Sequence, residues 1–110
     1  MLNLALVLAA QLATAPPEIV TGADLVRVCK STELDEGIYC LAYIAGIHDT
    51  IRDLQGIDEA TNIEYCLPAR ASIGAVSDAV AQHISDDESL WTSRAAGATL
   101  VSLMTLYPCV

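Results

Sequence analysis

Apolar residues recur through much of the chain at spacings of three and four, which is the period of an amphipathic helix. The longest stripe of this kind consists of Cys40, Ile44, Ile47, Ile51 and Leu54. It predicts a helix that begins near Asp35 and stops at Gln55-Gly56. Gly46 lies inside this helix, where glycine costs about 1 kcal/mol relative to alanine. We therefore expect another helix to approach closely at Gly46.

Two further helices are predicted on either side of this stripe. Before it, Thr21 and Asp24 form an N-terminal capping pattern for a short helix that ends near Cys29. After it, Ser72 is placed to cap a third helix. The residues that share one face of this third helix are Ile73, Val76, Val80 and Ile84.

A fourth helix is predicted at the C-terminal end of the chain. The acidic run Asp86-Asp87-Glu88 is favourable at a helix N-terminus, where the backbone dipole is positive. The helix is then expected to continue to Tyr107 and to be broken by Pro108. No strand-like alternation competes with these patterns. The predicted fold class is therefore all-α: a compact four-helix domain stapled by two disulfides and preceded by a signal-peptide helix.

The N-terminal segment differs from the rest of the chain because it is uncharged and mostly apolar. Leu4 to Ala13 is too short to span a bilayer, and it leads into the small-x-small pattern Ala13-Thr14-Ala15. These features are typical of a secretory signal peptide. We expect residues 1–15 to be the signal peptide, with cleavage after Ala13 as an alternative, and residues 16–110 to be the mature domain. The expected location is the periplasm or the medium; a buried N-terminal helix of a cytosolic protein is the alternative.

The balance of acidic and basic residues limits the classes of partner that the chain can be expected to bind. Asp and Glu number 14 against 5 Lys and Arg, which gives a formal net charge of −9. The few basic residues are scattered singly, so the chain has no electrostatic footprint for nucleic acid or for an anionic membrane surface. We expect no nucleic-acid partner and no stable membrane span after processing; a basic protein partner suits the charge.

The four cysteines imply a disulfide framework, since the chain is short and expected to be secreted. Four cysteines permit three pairings. Cys29 ends the first helix and Cys40 lies near the start of the second, so a helical turn brings them together. Cys66 precedes the third helix and Cys109 follows the fourth, and antiparallel packing of these two helices places them side by side. We therefore predict the pairs Cys29–Cys40 and Cys66–Cys109.

No residue constellation predicts a metal site or a catalytic site. Zinc ligands are typically paired two to four residues apart, whereas the nearest two cysteines have ten residues between them. His48 and Asp49 are adjacent on a helix and do not face each other, so we interpret His48 as a structural histidine. The chain also lacks a nucleophile elbow and a phosphate-binding loop. We predict no enzyme activity, no metal and no cofactor.

The longest irregular stretch runs from Gln55 to Tyr65, between the second and third helices. It carries Asp58, Glu59 and Glu64 and no basic residue. Long loops in compact domains are commonly functional. We expect these three carboxylates to contact a protein partner that has a basic or donor-lined cleft; a solvated connection without a partner is the alternative.

Four short motifs follow one another in order between residues 22 and 109. They are Gly22-x-x-Leu25-x-x-x-Cys29, Cys40-x-x-Tyr43-Ile44-x-Gly46-x-x-Asp49, Cys66-x-Pro68 with Ser72, and Tyr107-Pro108-Cys109. Together they resemble the Rap/Tai family of immunity proteins, small periplasmic helical domains found beside type VI secretion effectors.

The resemblance implies an all-α, disulfide-bonded and often dimeric protein that binds and blocks a peptidoglycan-cleaving amidase effector. Domains of this kind also occur as orphans with no known toxin, because a fold does not by itself specify a function. The alternative function is therefore that of an orphan periplasmic structural or chaperone-like helical protein.

Overall fold

The computed structural model describes residues 17–57 and 62–110. The helices in this part of the chain are α1 (Gly22–Cys29), α2 (Leu34–Ile57), α3 (Ile73–Asp86) and α4 (Ala95–Leu106), with a short 3₁₀ turn, Glu88–Leu90, before α4. α1 packs against both α2 and α3, and α4 packs against α3 and α1. The prediction of an all-α four-helix domain is confirmed. The predicted signal-peptide helix lies outside the described residues.

The core consists of aliphatic side chains that all four helices contribute. Its most deeply buried members are Leu25, Val28, Ile44, Val80, Ile84, Ala98 and Leu103. These are the positions that the helical periods place on inward faces. These side chains are all aliphatic, so the helices pack without aromatic rings at the centre, and the tyrosines lie at the edge of the cluster.

The N-terminus of α1 is closed by the capping box that the sequence predicts. The hydroxyl of Thr21 accepts a hydrogen bond from the backbone N–H of Asp24 at 3.2 Å. The carboxylate of Asp24 in turn accepts from the backbone N–H groups of Thr21 at 3.0 Å and Val20 at 3.1 Å. These backbone hydrogen bonds stabilise the ionised form and lower the pKa of the Asp24 carboxyl group.

The expectation that another helix approaches closely at Gly46 is wrong. The close contact between two segments of the chain occurs at Gly22. Gly46 is exposed, and a Cβ built there would meet no atom within 4 Å. The reason is its position: it follows the buried Ile44 by two residues, which places it about 200° around the helix, on the opposite face. At the buried Gly22, by contrast, a Cβ would overlap the carbonyl oxygen of Leu90 and lie 3.1 Å from Cγ2 of Ile84.

The predicted fourth helix begins later than its acidic run indicated. Asp87 caps the 3₁₀ turn instead, where its carboxylate accepts a hydrogen bond from the backbone N–H of Ser89 at 3.0 Å. The chain then leaves the helical path, and α4 starts at Ala95. The indole N–H of Trp91 donates to the carbonyl oxygen of Ile84 at 2.9 Å and thereby satisfies a C-terminal carbonyl of α3. This tertiary contact separates α3 from α4.

Two disulfides join Cys29 to Cys40 and Cys66 to Cys109, which is the predicted pairing. The first connects the end of α1 to the first half of α2. The second connects the segment before α3 to the segment after α4. Beside the second bridge, the backbone N–H of Cys66 donates to the carbonyl oxygen of Tyr107 at 2.8 Å. The open end of the α3–α4 hairpin, where α3 begins and α4 ends, is therefore closed by a covalent bond and a backbone hydrogen bond.

Candidate functional site

The three carboxylates expected to contact a partner belong to the segment between α2 and α3. Glu64 is exposed in the part of the chain that the structure describes, and Asp58 and Glu59 lie outside the described residues. Glu64 lies two residues before Cys66, whose disulfide and backbone hydrogen bond hold the segment at its C-terminal end.

The end of α2 and the segment that follows it lie side by side. α2 continues to Ile57, past the predicted stop at Gly56. The side-chain amide of Gln55 donates to the carbonyl oxygen of Ile63 at 2.5 Å. The segment that begins at Asn62 therefore runs back along the last turns of α2.

Tyr65 anchors this returning segment on α2. Its hydroxyl oxygen lies 2.6 Å from Nδ1 of His48, and the centroids of the two rings are 5.7 Å apart. Burial raises the pKa of the Tyr65 hydroxyl, the Arg52 cation opposes this effect, and the Asp49 carboxylate adds to it. The hydroxyl therefore keeps its proton at neutral pH. His48 has the hydrogen-bond partner that the structural interpretation requires.

An open cavity of about 480 Å³ lies beside the His48–Tyr65 pair. Its lining consists of His48, Arg52, Gln55, Tyr65, Leu67, Pro68, Ala69 and Ala71. The polar groups of this lining are a guanidinium, an amide, an imidazole and a phenol, with no carboxylate among these residues. Such a set of hydrogen-bonding groups suits binding of a polar or acidic side chain. The sequence did not predict this cavity, because no local pattern indicates that residues 48 and 65, which lie on either side of a loop, come into contact.

The second histidine serves helix packing. The hydroxyl of Ser102 donates to the carbonyl oxygen of Ala98 at 2.8 Å, so its single proton is already used. Its oxygen lies 2.9 Å from Nδ1 of His83, within hydrogen-bond distance. This contact joins α3 to α4.

Within residues 17–57 and 62–110, no three His, Cys, Asp or Glu side chains are grouped so that they could hold a metal ion. In the same ranges, no helix has both the length and the apolar character needed to cross a membrane.

The comparisons with known proteins find one family. The model of the Rap1a immunity proteins matches residues 21–109, a range that includes all four helices and both disulfides. No curated protein matches the chain, and no solved structure matches it.

Proposed function

Since the chain belongs to the Rap1a immunity protein family, we propose that it protects a cell by binding and inhibiting a peptidoglycan-cleaving amidase effector of type VI secretion. The family match across the whole helical domain carries this proposal. An inhibitor of this kind needs a surface of fixed shape, and the two disulfides together with the aliphatic core supply one.

The proposed site of action is the periplasm. Residues 1–15 are the proposed signal peptide, and residues 16–110 are the proposed mature domain. Support comes from the two disulfides, because such bonds form and persist in oxidising compartments outside the cytoplasm. An amidase that cleaves peptidoglycan acts in the same compartment, so inhibitor and effector would meet there.

We place the contact with the effector on the segment between α2 and α3, at Asp58, Glu59 and Glu64. Glu64 is exposed, and the neighbouring Tyr65 and Cys66 are already anchored to α2 and to the C-terminal segment. A pre-anchored segment loses less conformational entropy on binding than a free one. The formal net charge of −9 favours association with a basic or donor-lined cleft.

We also propose that two copies of the chain associate through α4. This helix, Ala95–Leu106, carries no charged residue, and it exposes Val101 and Met104 on its outer face. Two copies that each carry a formal net charge of −9 meet with least repulsion where neither presents a charge.

Sedimentation equilibrium should show a dimer that Val101→Asp converts to a monomer. A monomeric wild-type protein at micromolar concentration would contradict this association.

Inhibition is tested with the mature chain and a peptidoglycan hydrolase of the amidase effector class, sought first among the reading frames beside the gene for this chain. The hydrolase is titrated with the chain while release of cleaved peptidoglycan is followed, and binding is measured by calorimetry. We expect loss of hydrolase activity at a fixed stoichiometry. Full activity in the presence of excess chain would overturn the proposed function and favour a structural or chaperone-like role.

The contact segment is tested by the double substitution Asp58→Lys with Glu59→Lys. Binding should weaken and association should slow, most clearly at low salt, because the change reverses the charge that steers the encounter. The free energy of unfolding should stay within about 0.5 kcal/mol of wild type. Glu18→Lys with Glu88→Lys is the control, since both residues are exposed and the net charge changes equally. Equal affinity of the two double variants would move the contact elsewhere.

A further inference from the structure

A groove lies between the first half of α2 and the first half of α3, beside the Cys29–Cys40 disulfide. Its volume is about 410 Å³. It is separate from the cavity at His48, since no residue lines both. The proposed function does not use it.

One wall of the groove is an exposed apolar stripe on α2. Leu34, Ile38 and Leu41 line the groove and follow one another at i, i+4 and i+7, so they share one helix face. Their exposed fractions are 78%, 53% and 37%. Single exposed hydrophobic residues are ordinary on a protein surface, but three in a row on one face form a patch to which apolar residues of another chain bind.

The depth of the groove comes from small residues on both helices. A Cβ at Gly37 of α2 would meet no atom within 4 Å, and a Cβ at Gly74 of α3 would meet only the Oγ of Ser72, at 4.0 Å. Larger side chains at these positions would fill the groove without disturbing the fold. Space at both glycines is therefore a property of the surface and is not required for packing.

The charged residues that line the groove are both acidic. Glu33 and Asp78 line it. The basic residues of the chain are Arg27, Lys30, Arg52, Arg70 and Arg94, and none of them lines it. A segment that carries lysine or arginine beside its apolar residues would therefore meet complementary charge.

We propose that this groove binds an amphipathic segment of the effector, with apolar side chains against Ile38 and Leu41 and with Lys or Arg side chains directed at Glu33 and Asp78. The inference rests on the proposed function and adds a second contact surface to it. The loop between α2 and α3 would present carboxylates to the effector, whereas the groove would receive part of the effector chain.

The experiment fills the groove while leaving the fold intact. Gly37→Leu places a side chain in the open space, and leucine has the better helix propensity, so the variant should unfold at or above the wild-type temperature. Gly46→Leu is the matched control: it makes the same change on the same helix, also where no atom lies within 4 Å, but outside the groove. Both variants and the wild type are titrated against the hydrolase used to test inhibition.

We expect Gly37→Leu to raise the Kd for the hydrolase about tenfold or more, and Gly46→Leu to leave it within about twofold. Glu33→Gln with Asp78→Asn should weaken binding and reduce its dependence on salt. Equal Kd values for the Gly37 and Gly46 variants would overturn the groove as a contact and leave the proposed function standing. A wild-type chain that fails to bind the hydrolase would overturn both.

Discussion

The backbone of Gly22 lies directly against the carbonyl group of Leu90, with no room for a side chain between them. The backbone N–H of Gly22 donates to the carbonyl oxygen of Ser93 at 2.9 Å, and that of Ala23 donates to Trp91 at 3.1 Å. These amides belong to the first turn of α1 and have no partner within the helix. The turn after α3 thus completes the N-terminus of α1, and this contact requires a glycine.

Gly22→Ala should lower the free energy of unfolding by about 1–3 kcal/mol or more, because the new Cβ would force backbone apart. Urea unfolding followed by circular dichroism measures the change. Gly97→Ala is the control, since Gly97 of α4 is exposed and a Cβ there meets no atom within 4 Å. That variant should gain about 0.5–1 kcal/mol. Equal effects of the two substitutions would contradict the close contact.

Tyr65→Phe should lower the free energy of unfolding by about 0.5–1.5 kcal/mol, because it removes the hydrogen bond to His48. Tyr43→Phe is the matched control: Tyr43 is also partly buried, and its hydroxyl shows no hydrogen bond among the described residues. Thermal unfolding of the two variants gives the comparison. A loss for Tyr65→Phe no greater than that for Tyr43→Phe would mean that the ring of Tyr65, and not its hydroxyl, holds the segment.

Removal of each disulfide should destabilise the domain to a different degree. The cysteines of the first pair are 11 positions apart in the sequence and those of the second are 43 positions apart. Chain-entropy arguments then predict a loss of about 3 kcal/mol for Cys29→Ser with Cys40→Ser and about 4 kcal/mol for Cys66→Ser with Cys109→Ser. Urea unfolding measures both values, and mass spectrometry of unreduced peptides checks the pairs. A peptide that links Cys40 to Cys66 would refute the pairing.

The capping box of α1 should make stability depend on pH in the acid range. Hydrogen bonds from the backbone N–H groups of Thr21 and Val20 lower the pKa of Asp24 below its usual value of 3.8. A lowered pKa in the folded state means that the ionised carboxylate stabilises the fold above pH 3.8, and that this stabilisation is lost as the pH falls through the folded-state pKa.

Asp24→Asn should therefore be less stable than wild type at neutral pH, and the difference should shrink as the pH falls below about 4. Thermal unfolding of both proteins between neutral and acid pH tests this. A difference that is the same at every pH would show that the charge of Asp24 has no part in the cap.

The helices and the disulfides were predictable because they depend on local or simple topological rules. The capping box at Thr21 and the buried part of the stripe on α2 require only the spacing of residues along one helix. Leu54, at the end of the predicted stripe, is nevertheless exposed. The pairing of Cys66 with Cys109 follows once two successive helices pack antiparallel. Neither prediction depends on which side chains face each other across the core.

The errors concern features that only tertiary contacts determine. The start of α4 was misplaced because Trp91 turns back to bond the end of α3, and no local pattern predicts that contact. The role of a helical glycine depends likewise on what lies opposite it. Gly46 has nothing opposite it, whereas Gly22 faces the backbone of Leu90.

The candidate site was predictable only in part. The irregular segment and the exposed Glu64 follow from composition, and Asp58 and Glu59 stay a prediction. The contact of Tyr65 with His48 joins residues 17 positions apart, beyond the reach of helical periodicity. The groove was not predictable from the inner stripe of α2, because its apolar residues lie on another face of the same helix.

The disulfides have one further consequence, which concerns the order in which they form. Each cysteine is bonded to its neighbour in the sequence, Cys29 to Cys40 and then Cys66 to Cys109. In a chain that enters an oxidising compartment N-terminus first, a thiol oxidase that joins cysteines as they emerge makes the native pairs directly. Oxidation in that order needs no disulfide isomerase, since no bond formed on the way has to be exchanged.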